Sequence, residues 1–205
     1  MTLALIDYGA GNLHSVANAL KAAGGRDIAV TADPVVVAKA DRIVLPGVGA
    51  FGACAAALRA VDGMVDAIEQ RVRREGAPFL GICVGMQLMA DAGEELGEHP
   101  GLGWIPGRVR LLTPDDPSAK VPHMGWNDVR PTVPHPLIVA GEAYFLHSYA
   151  FESNGSGADV VATTDHAGPV VAAIARDNLA GVQFHPEKSQ GYGLALLERF
   201  LTWRP

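Results

Sequence analysis

Phe79-Leu80-Gly81-Ile82-Cys83-Val84-Gly85-Met86-Gln87 runs from a short apolar stretch, through a glycine-flanked cysteine, into helix-forming residues. Such a run reads as a strand, Pro78–Ile82, that hands over sharply to a helix and presents a thiol on the turn. Working back towards the N-terminus, the same alternation recurs. Leu3–Asp7 reads as a strand, Gly9–Asn12 as a turn and Leu13–Ala23 as a helix stopped by Gly24-Gly25. Asp27–Thr31 is a second strand, and Asp33–Ala40 a short helix with Pro34 at a helix-start position. Arg42–Leu45 is a third strand that ends in Pro46-Gly47-Val48-Gly49, and Cys54–Glu75 reads as one long amphipathic helix. Strands alternating with helices at this spacing predict an α/β fold: a mostly parallel central sheet with helices on both faces.

The second half changes character. Prolines and glycines are frequent from Gly101 to Pro136, with a β-like piece at Arg108–Leu112. Ala143–Phe151, Val160–Thr164, Val170–Arg176 and Leu179–Phe184 follow as strands, and Gly191–Trp203 closes the chain as a helix. The middle segment is expected to add antiparallel strands at the sheet edge rather than to form a second domain. The expectation is therefore one domain over 1–205.

A chain of 205 residues with 49% hydrophobic residues can bury a sizeable core. It has no uninterrupted run long enough to cross a bilayer. The opening Met1–Asp7 meets an acid too soon for a signal peptide. Two cysteines, Cys54 and Cys83, do not make a disulfide framework, and a reducing cytoplasm is the expected location. A net charge of −6 argues against phosphate-backbone binding as the main task.

A thiol is a poor nucleophile until ionised, with an ordinary pKa of about 8.5. A helix N-terminus aimed at the sulfur favours the thiolate, as does a nearby imidazolium. The Gly81-x-Cys83-x-Gly85 pattern offers that setting, with the Val84 N–H available to an oxyanion. The competing reading is a buried core cysteine, the usual fate of a lone Cys. Cys54, among small helical residues in Gly52–Ala57, reads as a packing residue. Far downstream, Gln183-Phe184-His185-Pro186-Glu187 supplies a base and a carboxylate. A spacing of two in extended chain puts both side chains on one face, where Glu187 orients His185 for proton transfer. The alternative is a polar strand end with a satisfied histidine. Metal binding is disfavoured, because neither His-x-x-x-His nor Cys-x-x-Cys occurs. Pro46–Gly49 is expected beside the end of the Cys83 strand, where it can donate a second N–H to an oxyanion. A plain loop or a phosphate-binding turn is the alternative there.

Six segments in order then carry a resemblance. They are Asp7-Tyr8-Gly9-Ala10-Gly11-Asn12-Leu13-His14-Ser15-Val16, Pro46–Gly49, Gly81–Gln87, Pro122-His123-Met124-Gly125-Trp126-Asn127, Phe145-Leu146-His147-Ser148-Tyr149 and Gln183–Ser189. Nearly end to end, the chain resembles the glutaminase-subunit family of imidazole glycerol phosphate synthases, within the class I, triad-type glutamine amidotransferases with their flavodoxin-like sheet.

That resemblance implies a Cys83, His185, Glu187 triad working through a γ-glutamyl thioester, without cofactor or metal. It implies an oxyanion hole from Val84 and the strand Gly47, Val48, Gly49, whose peptide must rearrange before its N–H points inward. It implies that Gln87 and the Ser148 and Tyr149 backbone hold glutamine, and that Asn12, Trp126 and Lys188 dock a cyclase partner. The partner of this family is a (β/α)₈ barrel that receives ammonia and makes imidazole glycerol phosphate for histidine biosynthesis. Two rivals remain at this stage. One is a stand-alone γ-glutamyl hydrolase or an amidotransferase of another synthase. The other is a non-catalytic glutamine sensor on the same fold.

Overall fold

The computed structural model describes residues 1–155 and 157–205. Strand β1 (Thr2–Ile6) leads through an Asn12-capped turn into α1 (Leu13–Ala22), β2 (Asp27–Thr31), α2 (Pro34–Val37) and β3 (Arg42–Gly47). The Asn12 side chain accepts from Ser15 N at 3.3 Å, satisfying one of the donors that a helix start leaves unpaired. Then come α3 (Phe51–Ala60), α4 (Met64–Ile68) and a π-helical turn at Glu69–Arg74. The single helix expected over Cys54–Glu75 is therefore broken. Val61 leaves the helical region and Gly63 sits at φ +72°, a left-handed conformation that ends one helix and starts the next.

Strand β4 (Phe79–Cys83) passes directly into α5 (Val84–Gln87). The short strands β5 (Ala92–Gly93) and β6 (His99–Pro100) precede β7 (Gly107–Leu111), β8 (His123–Pro131), β9 (Gly141–His147) and β10 (Tyr149–Ser153). The chain then runs through β11 (Val160–Asp165), β12 (Pro169–Arg176) and β13 (Leu179–Val182) to α6 (Gln190–Thr202).

The main sheet has the order β2-β1-β3-β4-β13-β12-β11-β8-β9. Its first five strands pair in parallel and the rest antiparallel. Parallel crossovers are right-handed. The step from β1 out to β2 and back across to β3 therefore sends α1 to one face and α2 to α4 to the other. Accordingly, α1 packs on α6, while α4 packs on α2 and α3. The expected α/β fold, with a mostly parallel sheet, helices on both faces and antiparallel strands at one edge, is what forms.

The middle of the chain departs from expectation in two places. Ala143–Phe151 is not one strand: it divides at Ser148 into β9 and β10, which belong to different sheets. A second sheet, β10-β7-β5-β6, takes the C-terminal piece. The nine-residue β8 falls within the proline- and glycine-rich stretch, where no continuous strand was expected.

Phe184 is fully buried, with its ring centroid 5.7 Å from both Phe145 and Tyr192. Burying such a ring is worth about 1.5–3 kcal/mol, which anchors the segment following β13 near the end of β4. No helix among the described residues is long and apolar enough to cross a membrane.

Candidate active site

The parallel register of β3 and β4 sets Gly47 opposite Cys83. Cys83 itself takes φ +53° and ψ −113°, a region that costs a non-glycine residue about 1–3 kcal/mol. The strand-to-helix junction is that tight because both flanking glycines are needed for close approach. A Cβ on Gly85 would lie 1.9 Å from Leu45 O, and one on Gly81 would lie 2.6 Å from Gly85 O. Val84 opens α5, so its N–H is among those that a helix start leaves without an intrahelical acceptor.

His185 follows β13, the neighbour of β4, and both Cys83 and His185 are buried. Its Nδ1 lies 2.9 Å from Glu187 Oε1. The pairing does not come from extended chain as the spacing suggested, because Pro186–Lys188 forms a 3₁₀ turn that folds Glu187 back beneath the ring. Burial pushes the His185 imidazole down, but the nearby Cys83 sulfur and the Glu187 carboxylate outweigh it and raise the ring to about 9. Near neutral pH it is an imidazolium beside the sulfur.

A cavity of about 250 Å³ opens on Cys83 and is lined by Gly49, Val84, Gln87, Glu95, His147, Ser148 and Tyr149 among others. A larger cleft of about 320 Å³, which includes Thr113, Asp115 and His166, contains none of Cys83, His185 and Glu187. Gln87, Ser148 and Tyr149, expected to hold substrate, thus all reach the cavity. Ser148 O already accepts from Leu112 N at 2.8 Å. Tyr149 O accepts from both Gln87 Nε2 and His147 Nδ1 at 2.9 Å. Of the lining residues, Pro122, Leu146 and the two titratable ones, Glu95 and His147, escaped the sequence reading as site residues. Glu95 lies just beyond the two-residue β5, where no periodicity marks it, and its Oε2 caps α3 by accepting from Phe51 N at 2.8 Å.

Of the expected oxyanion residues, Gly49 and Val84 line the cavity, Gly47 lies at the ladder's end, and Val48 is partly exposed. The carbonyls of this strand are held from within. Tyr8 Oη donates to Pro46 O at 2.7 Å and Cys54 Sγ to Val48 O at 3.3 Å. Cys54 is thus buried as expected, and also hydrogen-bonded to the strand it follows.

Behind the cavity, three donors run in one direction. The Tyr149 carbonyl can only accept, so His147 carries its proton on Nδ1 and accepts at Nε2 from His123 Nδ1, 3.1 Å away. His123 Nε2 in turn accepts from Asn127 Nδ2 at 3.0 Å. Burial, the main cause, depresses both rings, His123 to about 4 and His147 to about 3, so both are neutral.

The three expected docking residues are exposed. Trp126 and Lys188 share one neighbour: the Trp126 ring meets Tyr144 edge-on at 6.1 Å, and Lys188 Nζ sits 5.8 Å above the same ring. Asn12 is exposed too, although its side-chain oxygen is engaged in capping α1. No cluster of three or more His, Cys, Asp or Glu among the described residues is arranged to hold a metal ion.

Residues 4–202 match the family model described as glutamine amidotransferase class-I. The chain is 62% identical to "Imidazole glycerol phosphate synthase subunit HisH" of Zymomonas mobilis, covering 100% of this chain and 97% of the relative. It is 54% identical to the protein of the same name from Caulobacter vibrioides, over 100% and 99%. Among solved structures, a glutamine amidotransferase aligns with TM-score 0.75 at 19% identity over 98% of each chain. PurLQS from Thermotoga maritima aligns with TM-score 0.73 at 17% identity over 98% and 97%. At those identities the two structures speak for the fold alone.

Proposed function

The chain belongs to the class-I glutamine amidotransferase family, and from that premise we propose that it is the glutaminase subunit of an imidazole glycerol phosphate synthase. The single domain 1–205 splits glutamine at Cys83 and passes the ammonia to a cyclase subunit for histidine biosynthesis. The relatives' names support the synthase, and the site supports the chemistry.

The Cys83 thiolate attacks the side-chain amide carbon of glutamine, and the carbonyl electrons move onto oxygen. Val84 N–H and an N–H of the Gly47–Gly49 strand meet that charge; losing one such donor costs about 2.7–4 kcal/mol of transition-state stabilisation. On collapse the amide nitrogen takes a proton from His185 and leaves as ammonia. Water, deprotonated by the now neutral His185, attacks the thioester. Glutamate departs and the thiolate–imidazolium pair is restored. Glu187 holds the ring throughout. Gln87 and Glu95 face the substrate's polar end, where the Glu95 carboxylate favours the α-ammonium, beside the Ser148–Tyr149 backbone. Ammonia must travel unprotonated, so the docking face carrying Asn12, Trp126 and Lys188 seals against a barrel-shaped partner. Both cysteines are free, as a reducing cytoplasm keeps them.

The observation that carries this reading is a strained, buried Cys83 at the end of β4, next to the strand that leads into a buried His185 whose imidazole Glu187 holds at 2.9 Å. The test is glutamine hydrolysis by this chain, alone and with the cyclase subunit plus its ligand, with Cys83→Ala as control. Strong activation by the liganded partner, abolished in Cys83→Ala, is expected. Full activity without a partner overturns the synthase reading in favour of a stand-alone hydrolase, and no activity in either mixture leaves a glutamine sensor.

A further inference from the structure

Gln183 is completely buried, and the triad chemistry gives it no task. An amide in such a place is costly unless hydrogen-bonded, and an apolar side chain of the same length would fill the volume without that cost. Its bonds are therefore informative. Gln87 Nε2 donates to Tyr149 O at 2.9 Å and to Gln183 Oε1 at 3.0 Å, and Gln183 Nε2 lies 3.7 Å from Cys83 Sγ.

The direction of every bond follows from one backbone group. Tyr149 O can only accept, so the Gln87 atom facing it is the amide nitrogen. That nitrogen also faces Gln183, so the Gln183 atom opposite must be the oxygen. The remaining terminal atom of Gln183, the one towards the sulfur, is then NH₂, a donor. The other donor on Tyr149 O, His147 Nδ1, belongs to the series that starts at Asn127, so the reference carbonyl is itself held from two sides.

We propose that Gln183 is a further catalytic residue, whose side-chain amide, oriented by Gln87 against the Tyr149 carbonyl, donates an N–H to Cys83 Sγ and supports the thiolate. A hydrogen bond to the charged form favours that form, and such a bond strengthens when its acceptor is an anion. The sulfur is then held by two donors of different kinds. The His185 imidazolium loses its proton during turnover, whereas the Gln183 amide keeps its own. The amide therefore stays a donor to the sulfur through the thioester stage, when His185 is neutral, and is already in place when the sulfur leaves as thiolate. The proposal rests on Cys83 being the nucleophile of the glutaminase reaction.

The test follows Cys83 alkylation by iodoacetamide against pH, read at that residue by mass spectrometry, in the wild-type chain and in Gln183→Met and Gln183→Glu. The pH midpoint is expected to rise by about one unit in Gln183→Met and further in Gln183→Glu, where a carboxylate faces the sulfur. Partner-activated hydrolysis at pH 7 should fall about tenfold for that one-unit shift and recover partly at higher pH. If either variant fails to fold, Gln87→Met decides: Gln183 stays in place but loses its orienting donor, and the midpoint must still rise. An unmoved midpoint in a folded variant overturns the proposal, because a packing role alone lowers activity equally at all pH values. Failure of the glutaminase reading shows separately, as a wild-type chain with no hydrolysis that Cys83→Ala removes.

Discussion

Gly47 and Cys83 face each other across the parallel β3–β4 ladder. The proposed oxyanion strand and the proposed nucleophile are thus fixed to one another by backbone pairing, and what remains adjustable is the peptide just beyond. There Tyr8 holds Pro46 O and Cys54 holds Val48 O. Turning an N–H of this strand inward gives up the Cys54 contact, and an S–H···O bond is worth about 0.5–1 kcal/mol. Cys54→Ala is therefore expected to raise partner-independent hydrolysis about 2–5-fold, whereas Cys54→Ser, which keeps a donor, stays near wild type. Steady-state glutaminase rates without partner check this, and equal rates in all three proteins would exclude the latch.

The His185 ring sits above its ordinary value, at about 9, despite burial, because Cys83 and Glu187 hold its protonated form. With the folded-state value raised, that stabilisation is complete below about 6.5 and is lost as pH climbs through about 9. Removing the Glu187 charge in Glu187→Gln brings the ring's titration down. The alkaline limb of the hydrolysis profile should move to lower pH, with kcat falling about 10²–10⁴-fold. A profile of unchanged shape at reduced height would mean that Glu187 acts on packing alone.

Much of this site was legible because glycine and cysteine patterns report on backbone geometry. Gly81 and Gly85 marked a junction where no Cβ fits, and that junction is where Cys83 takes positive φ. Elements that lack periodicity were not legible. β5 and β6 have two residues each, and the division of β9 from β10 at Ser148 shows in the sequence only as the polar pair His147-Ser148 inside an apolar run, with no turn residue beside it. The break at Gly63 lay inside an otherwise helical pattern. Glu95 and the amide of Gln183 became site residues only through long-range contacts, which a linear pattern does not encode.

His123 and His147 are buried as neutral rings, depressed mainly by burial to about 4 and about 3. Here the sign is opposite to that of His185. Their contribution is complete above about 6.5 and declines as pH falls, because the unfolded chain takes up protons that the folded chain refuses. Each ring then costs about 1.4 kcal/mol per pH unit. Unfolding free energies from urea titrations between pH 6.5 and 5 should fall less steeply in His147→Gln than in wild type, by on the order of 2 kcal/mol over that range. Parallel curves would contradict the neutral assignment.

Gly85→Ala places a Cβ 1.9 Å from Leu45 O, inside the β3–β4–α5 junction, where backbone rather than a flexible side chain must move. The expected loss is on the order of 3–5 kcal/mol, in the range of the most damaging single substitutions. Gly9→Ala, where a Cβ meets nothing within 4 Å but φ is +84°, should cost about 1 kcal/mol from strain alone. Thermal unfolding of the two variants separates crowding from strain, and similar losses in both would refute the close-packing account of Gly85.

Trp126 and Lys188 flank one ring, Tyr144, whose backbone oxygen accepts from His185 N at 2.9 Å. The proposed docking face is thus one residue removed from the proposed catalytic base, and its members should divide by the work each does. Trp126 is half exposed, so Trp126→Ala should leave folding stability within about 0.5 kcal/mol. As a large aromatic at the interface it should weaken cyclase binding by about 2 kcal/mol, near 30-fold. Lys188→Ala should instead slow association and flatten its salt dependence, as an exposed charge does. Asn12→Ala should cost about 1 kcal/mol of stability even without partner, because its side chain caps α1. Titration calorimetry with the cyclase subunit, alongside chemical denaturation of each variant alone, separates the three. Unaltered affinity in Trp126→Ala would remove this surface from the proposed interface, while leaving the Cys83 chemistry intact.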